Sequence, residues 1–107
     1  MFTANTPKSF HHCVAMFGDA WSLLILAALQ DGELRFCGLL RNVENISPAI
    51  LSNRLKKLES YQLITRTEAP AGELSVMYSL TDAGRDVRPV LKEIGTFAQK
   101  YFQQDTD

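Results

Sequence analysis

A chain of 107 residues, 46% hydrophobic and 21% charged, has enough apolar material for one domain with a modest core and too little length for two. A formal charge of −1, from 11 Lys and Arg against 12 Asp and Glu, excludes a protein that holds nucleic acid by overall basicity, so any such contact must come from a local field. Two cysteines make no disulfide framework, the apolar run Leu23 to Leu29 is too short to span a bilayer, and no basic stretch precedes a hydrophobic one, so a reduced, cytoplasmic chain without membrane contact is expected.

Residues 1–8 have no periodicity and read as a loose N-terminal arm. Ser9 can cap a short helix to about Phe17, with Phe10, Val14 and Phe17 on one side and Gly18 breaking it. Asp19 can cap the next helix, Ala20 to Gln30, whose surface is apolar nearly all round: Trp21, Leu23, Leu24, Ile25, Leu26 and Leu29. Such a helix is buried on more than one side, and in so short a chain the extra partner suggests a second subunit. Gly32 suits a left-handed C-cap. Leu34-Arg35 can form a brief extended bridge before a helix from Phe36 to Val43, with Phe36, Leu39, Leu40 and Val43 inward, and Asn42 to Ile46 supplies a tight turn.

Residues 47–60 form the focal helix. Ser47 is an N-cap and Pro48 sits at the first helical position, where a missing N–H costs nothing. Leu51, Leu55 and Leu58 make an apolar stripe. The opposite side carries Ala49, Ser52, Asn53 and Lys56, flanked by Ile50 and Lys57, with Arg54 at the edge of the stripe. A small, hydrogen-bonding, cationic face without an acid suits base edges and phosphates in a major groove, although a plain solvated face has the same composition. The charge map favours the first reading. Residues 47–66 hold Arg54, Lys56, Lys57 and Arg66 against Glu59, and every other block of the chain is net negative.

Residues 63–80 read as a β-hairpin wing: Leu63 to Thr67 and Leu74 to Leu80 are β-prone, Pro70 to Glu73 is turn-like, and Val76, Tyr78 and Leu80 alternate. Residues 81–102 complete the chain as a C-terminal dimerisation helix. Thr81 caps it, and Val87, Leu91, Ile94, Ala98 and Tyr101, widened by Val90, Phe97 and Phe102, form its apolar face, with a kink expected at Pro89. The whole of 1–107 is therefore expected to be a single α+β, mostly α, domain. Its architecture is a winged helix-turn-helix with a two-stranded hairpin wing and terminal dimerisation helices.

The run Trp21 to Leu26, then Gly32, Arg35-Phe36, Leu39-Leu40, Ile46-Ser47, Leu51, Arg54-Leu55, Leu58-Glu59, Leu63-Ile64, Arg66, Tyr78 to Thr81, Gly84 and Pro89-Val90-Leu91 resembles the HxlR family of MarR-like winged-helix transcriptional regulators. The resemblance covers roughly residues 10–102. It implies a homodimer formed by the terminal helices that binds an inverted repeat in promoter DNA. It also implies that the helix at 47–59 enters the major groove and that the hairpin around 66–76 lies near the backbone or minor groove. In some members it implies a thiol sensor, here Cys13. The chain departs from the family pattern at Val14, where a proline commonly follows the cysteine, at Ala20 (commonly Lys), at Phe97 (often Trp), and in a wing with two acids and no base beyond Arg66.

The candidate DNA-binding residues are Ser47, Pro48, Ala49, Ser52, Asn53, Arg54, Lys56, Lys57 and Arg66. Asn53 and Lys56 are the leading base-edge or phosphate contacts, whereas Arg54 can either reach a phosphate or pair with an acid. Cys13 is the candidate redox sensor, since a protonated His11 or His12 would lower its thiol pKa; its other reading is a small buried residue. Cys37 is expected to pack. Adjacent ligands such as His11, His12 and Cys13 rarely close a tetrahedral site and no second cluster completes one, so no metal or cofactor is expected. No glycine-rich phosphate loop, nucleophile elbow or catalytic carboxylate pair is present, which argues against an enzyme. The expected function is a homodimeric transcriptional repressor of a palindromic promoter site. A thiol or small-molecule signal, the latter in an interface cavity lined by Trp21, Phe17 or Phe97, is a further expectation. The alternative is a winged-helix protein-interaction module that never touches DNA.

Overall fold

Residues 6–68 and 76–102 are described by a computed structural model. Pro7, rather than Ser9, precedes the first helix, α1 (Lys8–Phe17), because its extended backbone turns its carbonyl toward the Phe10 and His11 N–H groups. No residue of α1 is buried; Phe10 and Val14 lie exposed, while Met16 and Phe17 pack against the core. The chain bends by 76° into α2 (Ala20–Ala28), which ends in one 3₁₀ turn over Leu29–Asp31. Ser22, Ile25, Leu26 and Leu29 are buried there, but Leu24 is 49% exposed. Gly32 leaves the turn at φ 141° and ψ 173°, a glycine-favoured extended conformation and not the left-handed cap expected from the sequence.

Leu34–Arg35 forms β1, and α3 (Phe36–Asn42) leads through a turn with Asn45 at φ 68° to α4 (Pro48–Ser60). The hairpin follows as β2 (Ile64–Glu68) and β3 (Val76–Leu80), paired from Ile64↔Leu80 to Glu68↔Val76. The expected turn at Pro70 to Glu73, like the first five residues of the arm, lies outside the described residues. The extended bridge at Leu34-Arg35 adds a third strand to the two-stranded wing: it pairs with β3 at Tyr78 and Met77, giving an antiparallel sheet of order β1-β3-β2. Being central, β3 is half-buried from Val76 to Ser79 and fully buried only at Leu80, so the expected alternation is absent.

The last segment differs most from expectation. In place of one kinked helix there are two, α5 (Asp82–Arg85) and α6 (Arg88–Tyr101). Pro89 lies in the first turn of α6, where an N–H would have no helical acceptor anyway, so the proline starts a helix instead of bending one. Thr81 caps α5 as expected, accepting from the Gly84 N–H at 3.1 Å, and its hydroxyl donates to the Gln62 carbonyl at 2.7 Å.

One core joins these elements: Ile25, Leu26 and Leu29 of the α2 region, Leu39, Val43 and Ile46 around α3, Leu51, Leu55 and Leu58 of α4, Leu63, Ile64 and Leu80 of the sheet, and Val87. Along α6 only Leu91 joins it, leaving Val90, Ile94, Phe97 and Tyr101 exposed, with Phe102 exposed just beyond. The radius of gyration is 15.5 Å, against about 13 Å for a compact chain of this length.

Candidate nucleic-acid interface

The geometry of α4 begins with its cap. Ser47 is extended (φ −83°, ψ 154°) and its Oγ accepts from the Ile50 N–H at 3.1 Å, while Pro48 occupies the first turn. This capped start lets α3, the turn at 43–46 and α4 pack as a helix-turn-helix around Leu39, Val43, Ile46 and Leu51. With Leu51, Leu55 and Leu58 no more than 2% exposed, the rotation of α4 about its axis is fixed. Its other side then has to face water. Pro48, Ala49, Asn53, Lys56 and Lys57 are exposed and Ser52 is half-buried; Ala49, Ser52, Asn53 and Lys56 turn away from the leucine stripe with Lys57 on their flank, whereas Pro48 stands at the helix start on the other side. Among the described residues neither Lys56 nor Lys57 has an acidic partner, leaving both charges available to an incoming anion.

Arg54 stands apart from that surface. Its Nε donates to Asp19 Oδ2 at 2.6 Å, its Nη2 lies 3.4 Å from Asp19 Oδ1, and its Nη1 donates to Asn53 Oδ1 at 3.0 Å. Of the two roles open to Arg54 in the sequence, pairing with an acid is the one observed. Asp19 in turn makes no side-chain cap on α2; its carboxylate accepts from the buried Ser22 hydroxyl at 2.7 Å and from Arg54. Burial pushes this carboxyl up, but the hydrogen bonds from Arg54 and Ser22, the guanidinium charge and a lesser contribution from the Trp21 backbone N–H outweigh it and hold the group below its ordinary value. Local sequence carried no sign of this contact, because the partners lie 35 residues apart.

Arg66 lies on β2, exposed, with Nη1 3.8 Å from Glu68 Oε2, so its charge is partly answered on the same strand face. An open groove of about 590 Å³ separates the C-terminal end of α4 from the wing, bordered by Glu59, Arg66 and Asp82. Its rim of two acids and one base makes it a poor apolar pocket. Trp21 and Phe17 pack against the core of the single chain, whereas Phe97 is exposed, its ring tilted at 45° to that of Tyr101 with centroids 4.9 Å apart.

Both cysteines are exposed, which corrects two expectations: Cys37 does not pack into the core, and Cys13 is not a buried filler. Cys13 sits on the outer surface of α1, where the His12 ring meets Tyr61, at the C-terminal end of α4, edge-on at 5.6 Å. Among the described residues no group of His, Cys, Asp or Glu could hold a metal ion, and no single helix is long and apolar enough to cross a membrane.

Comparison with known proteins places this geometry. The family model for HxlR-like helix-turn-helix proteins matches residues 16–106. Among relatives, the chain is 34% identical over 92 residues to the HTH-type transcriptional regulator YvaP of Bacillus subtilis, covering 86% of this chain and 85% of YvaP. It is 31% identical over 87 residues to the HTH-type transcriptional regulator YodB of the same organism, covering 81% and 78%. Among solved structures, a MarR-family protein from Porphyromonas gingivalis W83 superposes with a TM-score of 0.83 at 28% identity, covering 95% of this chain and 98% of the other. The reduced form of YodB superposes with a TM-score of 0.77 at 28% identity, covering 97% and 98%. YodB has also been crystallised with quinone bound and after diamide treatment.

Proposed function

The chain belongs to the HxlR-like helix-turn-helix family, and we propose that within it this protein is a homodimeric, cytoplasmic repressor that binds an inverted repeat in promoter DNA through α4. The observation that carries this reading is the exposed α4 face, with Asn53 offering an amide and Lys56 and Lys57 offering unpaired charge on a helix locked by buried leucines. Amides read base edges and lysines neutralise phosphates. Ser47 and the small side chains of Ala49 and Ser52 let the helix approach the duplex, and Arg66 of the wing meets the backbone beside it. Residues 1–107 act as one domain, with 47–60 as the recognition helix, 63–80 as the wing and 81–102 as the dimerising segment. The exposed Val90, Ile94, Phe97 and Tyr101 support dimerisation, because a row of large apolar side chains on a soluble monomer is costly unless a second copy covers it.

The test is binding of the protein to its own promoter over a salt series. Sequence-specific affinity should fall as salt rises. Lys56→Ala should weaken all duplexes and flatten the log–log slope by about 0.9 for each phosphate it leaves unneutralised. Asn53→Ala should lower affinity for the specific duplex far more than for random DNA. Wild-type binding no better to promoter than to random DNA at physiological salt would reject this function and favour the protein-interaction module.

A thiol signal is favoured by one specific observation, the exposure of Cys13 on α1, together with the quinone-bound and diamide-treated states of YodB. Oxidant or quinone should release wild-type protein from the promoter and leave Cys13→Ser bound; equal release of both would remove Cys13 from the role.

A further inference from the structure

A chain of hydrogen bonds runs from the start of α2 to the proposed DNA-reading face. Ser22, 2% exposed, anchors Asp19. Asp19 holds the guanidinium of Arg54 through Nε and Nη2, and the remaining Nη1 of Arg54 holds the Oδ1 of Asn53. A guanidinium only donates, so the atom of Asn53 facing it must be the amide oxygen, which settles the orientation of that amide. The Asp19 and Arg54 side chains are only 18% and 27% exposed, so this scaffold sits partly out of water while Asn53 itself is exposed. An unsupported asparagine on a helix surface can turn over and offer either edge of its amide. Asn53 cannot do so without breaking the bond to Arg54.

We infer that Asp19 is a positioning residue for sequence readout: through Arg54 it fixes the Asn53 amide, so that Nδ2–H is presented as the donor to an acceptor on a base edge. The inference rests on the proposed α4–DNA reading and adds to it a residue that touches no DNA. The acceptors that suit such a donor in the major groove are guanine O6 and N7, adenine N7 and thymine O4. Pre-fixing the amide matters because a group already held in its binding orientation loses less freedom when it binds.

The same geometry separates positioning from simple electrostatics. Removing the Asp19 charge makes the DNA-facing side more positive, which by charge alone would tighten binding to any duplex. Positioning gives the opposite result for the specific duplex only.

The experiment selects duplexes from a randomised pool with wild-type protein. It then measures the ratio of affinities for the selected and a scrambled duplex, across salt, for wild type, Asp19→Asn, Asn53→Ala and the double variant. Asp19→Asn should lower the ratio roughly fivefold or more, toward the value expected when one base edge goes unread. Its salt slope should match wild type, since Asp19 meets no phosphate. In the Asn53→Ala background Asp19→Asn should lower the ratio no further, because its effect passes through Asn53. An unchanged ratio in Asp19→Asn, or losses that multiply in the double variant, overturns the inference. Should Asp19→Asn fail to fold, Arg54→Lys replaces it: lysine keeps the cation but lacks the fork to hold both partners, so the same non-multiplying loss is expected and a retained ratio overturns the proposal. Wild-type protein that enriches no sequence at all overturns the α4 reading and this inference together, and the wild-type selection alone tells that failure apart from the others.

Discussion

Among the described glycines, Gly84 is the one where an added methyl group should do the most damage. Gly84 is buried in the single turn of α5, and a Cβ there would come within 2.1 Å of the Leu63 carbonyl oxygen and 3.0 Å of Leu80 Cδ2. The nearest obstacle is backbone, so no side-chain rotation relieves it. The Leu63 carbonyl also accepts from the Thr81 N–H at 3.0 Å, and Gly84 N–H is itself held by the Thr81 hydroxyl. Moving either strand or turn by the required distance therefore breaks hydrogen bonds worth about 1 kcal/mol each. It also adds overpacking of about 1–3 kcal/mol, against a gain of about 1 kcal/mol in helix propensity. A net loss of about 3 kcal/mol, at about 4 °C or more per kcal/mol, lowers Tm by at least about 12 °C. Gly38→Ala is the control: the nearest atoms to its Cβ belong to the side chain of Leu34, whose Cδ2 at 3.3 Å can move aside, and the change should stay within about 1 kcal/mol of wild type. Thermal melts followed by circular dichroism read both. A Gly84→Ala protein that melts within about 3 °C of wild type would mean that the clash is relieved at almost no cost and that this position does not require glycine.

Three other outcomes are expected. Ser47→Ala removes the side-chain acceptor of the Ile50 N–H and should cost about 1 kcal/mol in a urea titration, with Ser47→Gly costing only a few tenths. Phe97→Asp places a charge in the exposed apolar row of α6; sedimentation should show a wild-type dimer and a folded monomeric variant, and a variant that remains dimeric removes α6 from the interface. The Asp19 carboxyl has its folded-state pKa below the ordinary 3.8, so its stabilisation is complete above that value and fades as pH falls through the lowered one. Urea midpoints should therefore separate wild type from Asp19→Asn at pH 6 and converge toward pH 2, and a gap that stays constant would mean that the Arg54 pair does not govern it.

Wherever one residue type settles the local physics, the sequence is legible. Ser47 and Thr81 cap as their types demand, and the spacing of Leu51, Leu55 and Leu58 fixes which side of α4 is inside and therefore where Asn53 and Lys56 lie. The β-rich runs on either side of the wing turn pair as expected. What stays hidden depends on distant partners. Asp19 has the right type and place to cap α2, yet the stronger attraction of a guanidinium 35 residues on, together with Ser22, takes its carboxylate. Pro89 interrupts an unbroken apolar period, and only the observed turn at Asp86-Val87 reveals that the period belongs to two helices. Cys37 has a packing residue's composition, but a short helix with its glycine side against Leu34 leaves the thiol outside.

The hydroxyl of Thr81 joins two places at once, donating to Gln62 at the exit of α4 and accepting from Gly84 where α5 begins. It thus acts as the pivot pin of a lever. From that pin the five paired residues of β2 and β3 extend about 16 Å, so a tilt of about 5° at the base displaces the far end, at Glu68 and Val76, by about 1.4 Å. At the proposed contact with a duplex an error of that size would be half a hydrogen bond's length, while the hinge itself would barely register it. In the proposed complex, the accuracy with which the wing reaches DNA therefore depends on Thr81, at the opposite end of the hairpin, as well as on the pairing of β3 with β1.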